Sequence, residues 1–97
     1  MIVSFGDKPT EAVFHGTPIR LLRRFPSDVL SRAVQKLDYP NGASDLIDLE
    51  MPPGNRLELL KGDLKGFHSI RVNDQWRIVF RWRGSDAHEV RLVDYHR

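Results

Sequence analysis

The sequence predicts an α+β fold, in which an N-terminal strand and two to three helices pack on one face of a four- to five-stranded antiparallel sheet. Apolar residues recur at helical spacing in the first half of the chain and at every second position after Asn55. Helices followed by a run of strands are typical of two packed layers, because a meander of strands leaves one face for helices to cover. Residues 1–97 suit a single domain.

Turn residues frame the first elements of the chain. Residues 2–5 are apolar and are followed by Gly6, which suits a short first strand. A helical pattern begins at Thr10 and stops at Gly16. Residues 19–25 mix apolar side chains with arginines, and their pattern leaves helix and loop both open.

A longer second helix is predicted to follow. Ser27 is a suitable N-cap, and Pro40-Asn41-Gly42 is expected to close the helix. Residues 43–49 can add one or two further turns, and residues 52–55 read as a rigid Pro-Pro-Gly-Asn connection. The apolar stripe of this helix consists of Val29, Leu30, Ala33, Val34 and Leu37.

Three strands are predicted after this connection, over residues 68–73, 76–83 and 87–93. Each alternates apolar and polar side chains, as half-buried strands do. A three-residue loop over residues 73–75 keeps the two faces of the first hairpin consistent, whereas a two-residue loop would put a charge beside a large apolar ring. The three-residue loop pairs Arg71 with Arg77. Opposed arginines are unfavourable in a sheet unless an anion lies between them, so this face is a candidate phosphate site.

The distribution of charge agrees with that interpretation. The chain has a net charge of +2, which is ordinary. Residues 56–97, however, carry nine basic and six acidic side chains, and seven of the nine are arginines. Arginine holds phosphates in a bidentate manner, so a modest basic patch in this half is compatible with nucleic acid.

Composition also excludes several classes of protein and site. The absence of cysteine removes disulfides, thiol nucleophiles and thiolate metal sites. The four histidines lack metal-ligand spacing, and glycine-rich phosphate loops and serine-nucleophile elbows are missing. Because no apolar run approaches the roughly 20 residues of a membrane span and no leader is visible at the N-terminus, we expect a cytosolic protein without a metal or other cofactor.

The acidic, basic and cationic side chains of the second half suit cleavage of RNA without a metal. In that reaction a base takes the proton of a ribose 2′-OH, cations stabilise the phosphoryl oxygens, and an acid protonates the leaving oxygen. Glu58 and Lys61 lie on one segment, Arg71 and Arg77 lie on the hairpin, and Asp94-Tyr95-His96 lies at the end. His96 can act as acid or base at neutral pH, and a suitably placed Glu58 can act as base.

The stretch from Leu60 to Phe80, LKGDLKGFHSIRVNDQWRIVF, resembles the HigB-type toxins of the RelE/ParE superfamily. The preceding PPGNRLE, the closing VDYH and the opening MIVSF strengthen the resemblance, which is clear over residues 43–97. It implies a RelE-like fold and a ribosome-dependent endonuclease that cuts messenger RNA and inhibits translation. A ParE-like inhibitor of DNA gyrase is the alternative. The terminal Tyr95-His96 pair disfavours it, because an inhibitor that cleaves nothing does not need a proton-transfer group there.

The resemblance also implies roles for individual residues. The active-site positions of the family correspond here to Lys61, Arg77, Asp94, Tyr95 and His96. Arg71 corresponds to a phosphate contact, and the basic face adds three further candidates for binding RNA, Lys65, Arg81 and Arg83. Glu58 stands where several relatives have histidine and where the toxin YoeB has the glutamate of a Glu-Pro-Leu-Lys stretch. This leaves Glu58 and His96 as alternative general bases.

The partners that the resemblance implies are a helix-turn-helix antitoxin of the HigA type, the ribosome and messenger RNA. DNA would be contacted only through the antitoxin, which would repress its own promoter, and no membrane is involved. His68 shares the parity of core-facing Ile70, so we interpret it as structural.

Overall fold

The computed structural model describes residues 1–95 of the chain and has the predicted α+β architecture. Within these residues, two α-helices cover one face of a sheet whose strand order is β1-β2-β3-β4, with every neighbouring pair antiparallel. The elements are α1 (Lys8–His15), α2 (Ser27–Gly42), β1 (Glu58–Leu59), β2 (His68–Arg71), β3 (Trp76–Arg83) and β4 (Asp86–Asp94).

The N-terminal strand joins the sheet in a different direction from the other strands. Isolated bridges connect Ile2 to Ala87 and Phe5 to Val90, and both are parallel. Backbone hydrogen bonds of 2.9 Å run from the Val3 amide to the Ala87 carbonyl and from the Gly6 amide to the Val90 carbonyl. The fifth position of the sheet is therefore a parallel edge segment beside β4.

Both helices differ from the sequence prediction at their ends. Helix α1 begins at Lys8, because Asp7 caps it by accepting a hydrogen bond from the Thr10 amide at 2.9 Å. Helix α2 begins at Ser27 itself, with Pro26 and not the predicted Ser27 at the N-cap position, and it ends at Gly42 within the predicted closing segment. Pro40 lies only two residues before the end of the helix, and its missing amide costs one hydrogen bond to the preceding turn. The predicted extra turn is a 3₁₀ segment over Leu46–Glu50.

The main core lies between α2 and the sheet. Val29, Ala33 and Leu37 of α2 are buried, as the helical period predicts, and they belong to one cluster with Ile70, Ile78 and Phe80 of the strands. Two residues of the predicted apolar stripe deviate, since Leu30 is only half-buried and Val34 is 49% exposed. The apolar stripe of α2 is thus wider than the surface that the sheet covers.

The predicted hairpin register is confirmed. Arg71 pairs with Arg77, and Ile70 pairs with Ile78. The Asn73 side chain fixes the turn by accepting hydrogen bonds from the amides of Gln75 at 2.9 Å and Trp76 at 2.8 Å. The arginines of β3 therefore face away from the helices, on what we call the open face of the sheet.

A bulge in β4 changes the alternation at the far end of this face. Val79 pairs with Arg91 but Arg81 pairs with His88, so β4 contains one extra residue between the two pairs. Glu89 accommodates it with a φ of 54°. The open face also has a small apolar cluster of its own, formed by Leu60, Phe67 and Val79 with half-buried neighbours Leu64, Val93 and Tyr95.

Among residues 1–95, no helix has the length and apolar character of a membrane span. The longest, α2, has 16 residues, whereas a span needs about 20.

Candidate active site

Arg77 is the centre of a cluster of polar side chains on the open face. Its side chain is nearly buried, with 5% of the residue exposed. One of its terminal nitrogens lies 3.7 Å from a carboxylate oxygen of Glu58. Its guanidinium carbon lies 5.8 Å from the centre of the Tyr95 ring, within the range of a cation–π contact. The structure thus brings together a carboxylate, a guanidinium and an aromatic ring that are far apart in the sequence.

The pairing of the strands explains why Glu58 reaches Arg77. Glu58 lies opposite Ser69 of β2, and Ser69 lies opposite Val79 of β3. Ser69 is small and buried, so the long side chain of Arg77 can extend across β2 toward β1. Glu58 keeps 34% of its side chain exposed, and its carboxylate therefore faces both the arginine and solvent.

Arg71 lies directly beside Arg77, as predicted, but carboxylates of the protein itself offset the two like charges. The guanidinium of Arg71 forms an ion pair with Asp74 in the adjoining turn, while Arg77 pairs with Glu58. The hydrogen bond and positive charge of Arg71 hold the pKa of the Asp74 carboxyl below its ordinary value. Arg71 remains half-exposed, so an incoming phosphate can compete with the exposed Asp74 for it.

Lys61 and Lys65 lie on the loop between β1 and β2, beside the apolar cluster of the open face. A hydrogen bond of 2.8 Å from the Leu60 amide to the Phe67 carbonyl closes this loop, and a 3₁₀ turn over Gly62–Leu64 fills it. Both lysines are exposed and line a hollow of about 510 Å³. The loop therefore presents two cations at the border of the open face.

Asp94 and Tyr95 do not share a face. Asp94 pairs with Trp76, whose ring packs on Phe25 of the helical layer, so strand alternation places Asp94 on the helix side. Gln75 contacts both residues: its side chain donates to Asp94 at 3.0 Å, and its carbonyl accepts from the Tyr95 amide at 2.7 Å. His96, the last member of the predicted set, lies outside the described residues.

Arg81 and Arg83 form a separate group at the far end of β3. Arg83 is six residues from Arg77, which is about 20 Å along an extended strand. Both arginines contact the carboxylate of Glu89, at 3.1 and 4.0 Å respectively. The ring of Phe67 has two arginine contacts, with Arg81 at 4.2 Å and Arg91 at 5.5 Å.

Sequence reasoning missed the contribution of Phe67 and Arg91 to this second group. The parity of residues 87–93 places Arg91 among the polar positions, so its face could be predicted. The position of Phe67 could not, because it depends on the loop that folds back over Val79.

His68 lies on the helix side, in agreement with the structural interpretation, and its ring is 6.2 Å from that of Phe80. Burial lowers its pKa below the ordinary histidine value. Within residues 1–95, no group of three histidine, aspartate or glutamate side chains is placed so that it could hold a metal ion.

The fold alone is shared with a solved structure of low sequence identity. A chain of the YoeB–YefM complex from Staphylococcus aureus matches with a TM-score of 0.57 and 15% identity, over 100% of this chain and 99% of that chain. The helix-covered antiparallel sheet is therefore that of the RelE-like toxins.

Sequence comparison narrows this class to a family. The family model described as the RelE-like toxin of the type II toxin–antitoxin system HigB matches residues 4–96. Toxin HigB-1 of Vibrio cholerae serotype O1 is 40% identical over 82 residues, which are 84% of each chain. Endoribonuclease HigB of Proteus vulgaris is 44% identical over 96 residues, which are 99% of this chain and 100% of that one. The chain belongs to the HigB family, as its sequence resemblance predicted.

Proposed function

We propose that this toxin is an endoribonuclease that cuts messenger RNA on the ribosome and so inhibits translation. The observation that carries the proposal is the cluster of Glu58, Arg77 and Tyr95 on a basic, open sheet face. The 44% identity to a relative named Endoribonuclease HigB supports the same activity. Nothing in the comparisons favours the ParE-like alternative.

In the proposed reaction, the chain supplies proton transfer and positive charge. The solvent-facing carboxylate of Glu58 takes the proton of the ribose 2′-OH, which attacks the adjacent phosphorus. Arg77 and Lys61 stabilise the charge that grows on the phosphoryl oxygens, and Arg71 holds a neighbouring phosphate. His96 donates a proton to the 5′-oxygen as its bond to phosphorus breaks. These steps require no metal ion.

Tyr95 and Asp94 have different proposed roles. The Tyr95 ring flanks Arg77 and offers a surface on which an RNA base can stack. Asp94 acts indirectly, because Gln75 ties its carboxylate to the backbone of Tyr95 and so fixes the position of that ring. Asp94 is thus a positioning residue in this scheme.

The proposed partners follow from charge and from the family. Messenger RNA and ribosomal RNA are polyanions, and Lys65, Arg81 and Arg83 extend the basic surface beyond the catalytic cluster. A toxin that acts on translating ribosomes works in the cytoplasm. Its inhibitor is proposed to be a helix-turn-helix antitoxin of the HigA type, through which the complex contacts DNA.

Replacement of Lys61 tests the nuclease without risk to the core, because this lysine is exposed. Lys61→Ala is expected to lower RNA cleavage about 100-fold, the usual effect of removing one oxyanion stabiliser. Lys8→Ala, an exposed lysine on α1, is the matched control and is expected to cleave like the parent.

The readout is the position of RNA 5′ ends after induction of the toxin without antitoxin. New ends within translated messages, and none in the same message without a start codon, support ribosome-dependent cleavage. Growth arrest with inhibited gyrase and no new RNA ends would contradict the proposal and favour the ParE-like alternative.

A further inference from the structure

An apolar groove lies between the two helices, on the side of the molecule opposite the candidate active site. It is lined by Val13 of α1, by Gly16 at the C-terminal cap of α1, by Leu30 and Val34 of α2, and by Leu22 of the intervening 3₁₀ turn. The groove encloses about 350 Å³. Val13 of this lining belongs to the main core and Leu22 and Leu30 pack against it, whereas Val34 lies outside that cluster.

Part of the apolar surface in and around the groove is open to solvent, whereas Val13 is buried and Leu22 and Leu30 are half-buried. Val34 is 49% exposed, and Leu21, the neighbour of Leu22, is 50% exposed. Exposed apolar side chains that line a concave surface, rather than being scattered singly, indicate a binding site.

The 3₁₀ turn that contributes Leu22 to one rim of the groove is positively charged. Leu22 belongs to the 3₁₀ turn Arg20–Arg24, which contains Arg20, Arg23 and Arg24, and all three arginines are exposed. The sequence has no acidic residue between positions 12 and 27. An occupant that complements the groove must therefore combine apolar side chains with carboxylates.

We propose that this groove is the docking site for a short amphipathic, acidic segment of the cognate antitoxin. Apolar side chains of that segment lie between α1 and α2, and its carboxylates face Arg20, Arg23 and Arg24. The docking site depends on the antitoxin partner within the proposed function but not on the cleavage chemistry.

The charge of the rim favours this occupant over a second copy of the toxin. A symmetric dimer presents the same patch from both subunits, so it would bring two sets of three arginines together. RNA is also disfavoured, because the lining of the groove offers no aromatic ring on which a base could stack.

Paired substitutions of two valines test the site. Val34→Glu places a charge in the groove, whereas Val3→Glu makes the same change at a valine with nearly equal exposure, 47% against 49%, on the N-terminal segment. We expect Val34→Glu to weaken binding of the purified cognate antitoxin at least tenfold in titration calorimetry. Val3→Glu is expected to change the dissociation constant less than twofold. Equal affinities of the two variants would overturn the proposal.

A third variant tests the acidic character of the partner. Val34→Lys disturbs the apolar contact as much as Val34→Glu but attracts carboxylates, so it is expected to weaken binding less. If Val34→Lys weakens binding as much as Val34→Glu, the partner segment is not acidic. Arg23→Glu changes only the exposed rim, is expected to weaken binding as well, and replaces Val34→Glu if that variant does not fold.

Two further measurements separate the remaining outcomes. Sedimentation of the parent toxin alone is expected to show a monomer, and a dimer that Val34→Glu dissociates would assign the groove to a second copy and overturn the proposal. RNA cleavage by Val34→Glu is expected to equal that of the parent, because the groove and Glu58 lie on opposite sides of the sheet. If the parent toxin has no nuclease activity but Val34→Glu still weakens antitoxin binding, the cleavage proposal fails and the docking site stands.

Discussion

Replacing Glu58 by glutamine allows the contribution of this residue to the stability of the protein to be measured separately from its contribution to RNA cleavage. The variant keeps the shape of the side chain but removes the charge that faces Arg77 at 3.7 Å. At an effective dielectric constant of about 20, two unit charges at that distance attract by about 4–5 kcal/mol before desolvation is counted. Because Glu58 is one-third exposed and glutamine still offers a carbonyl oxygen, we expect a net loss of about 1–2 kcal/mol in the free energy of unfolding.

The same substitution is expected to have a much larger effect on activity. A loss of about 1–2 kcal/mol lowers the melting temperature of a domain of this size by about 4–16 °C and leaves it folded at 25 °C. Loss of a general base lowers the cleavage rate by about 100- to 10,000-fold. Reduced activity at a temperature where circular dichroism shows a folded chain therefore reports chemistry and not unfolding.

The assay combines thermal denaturation with single-turnover cleavage of messenger RNA bound to ribosomes. Asp86→Asn is the control, because Asp86 is a carboxylate at the far end of β4 that pairs with the N-terminal amine at 3.6 Å. It is expected to change the cleavage rate less than threefold. Cleavage by Glu58→Gln within threefold of the parent would refute the role of Glu58 and leave His96 as the candidate base. An unchanged melting temperature would refute the stabilising effect of the ion pair.

Three further predictions concern stability. Gly66→Ala is expected to destabilise the protein by about 1–3 kcal/mol in urea denaturation, because Gly66 has a φ of 89°, which residues with a Cβ rarely adopt. Gly54→Ala should change the stability little, since nothing lies within 4 Å of its added Cβ. Asn55→Ala should cost about 2–3 kcal/mol by the same measurement, since the buried amide bonds three partners at 2.7, 3.2 and 3.4 Å. Burial lowers the pKa of His68 in the folded state, so the unfolded chain binds its proton more readily and the parent should lose stability as the pH falls below 6.5. In His68→Leu this pH dependence should be weaker.

The sequence predicted the β2–β3 hairpin because alternation in both strands restricts the register to one choice. The contact between Glu58 and Arg77 could not be derived in the same way. Strand β1 has two residues, which is too short for a periodic signal, and the contact depends on the side chain of Arg77 crossing β2. The resemblance to a family named both residues as site candidates but gave no geometry for them.

Two other differences have local physical causes. The sequence motif groups Asp94 with Tyr95, although strand alternation separates neighbouring residues onto opposite faces. The exposure of Val34 was missed because helical periodicity identifies an apolar stripe but does not tell whether the partner surface for it is part of the same chain.

The parallel pairing of residues 2–5 beside β4 has a consequence for the time course of folding. Val3 and Gly6 of this segment donate hydrogen bonds to Ala87 and Val90, which are synthesised more than 80 positions later. At a synthesis rate of about 5–20 residues per second, the N-terminal segment waits about 4–17 s for its partner strand. The sheet edge beside β4 is therefore covered late, because its pairing with the N-terminal segment waits until β4 itself has been synthesised.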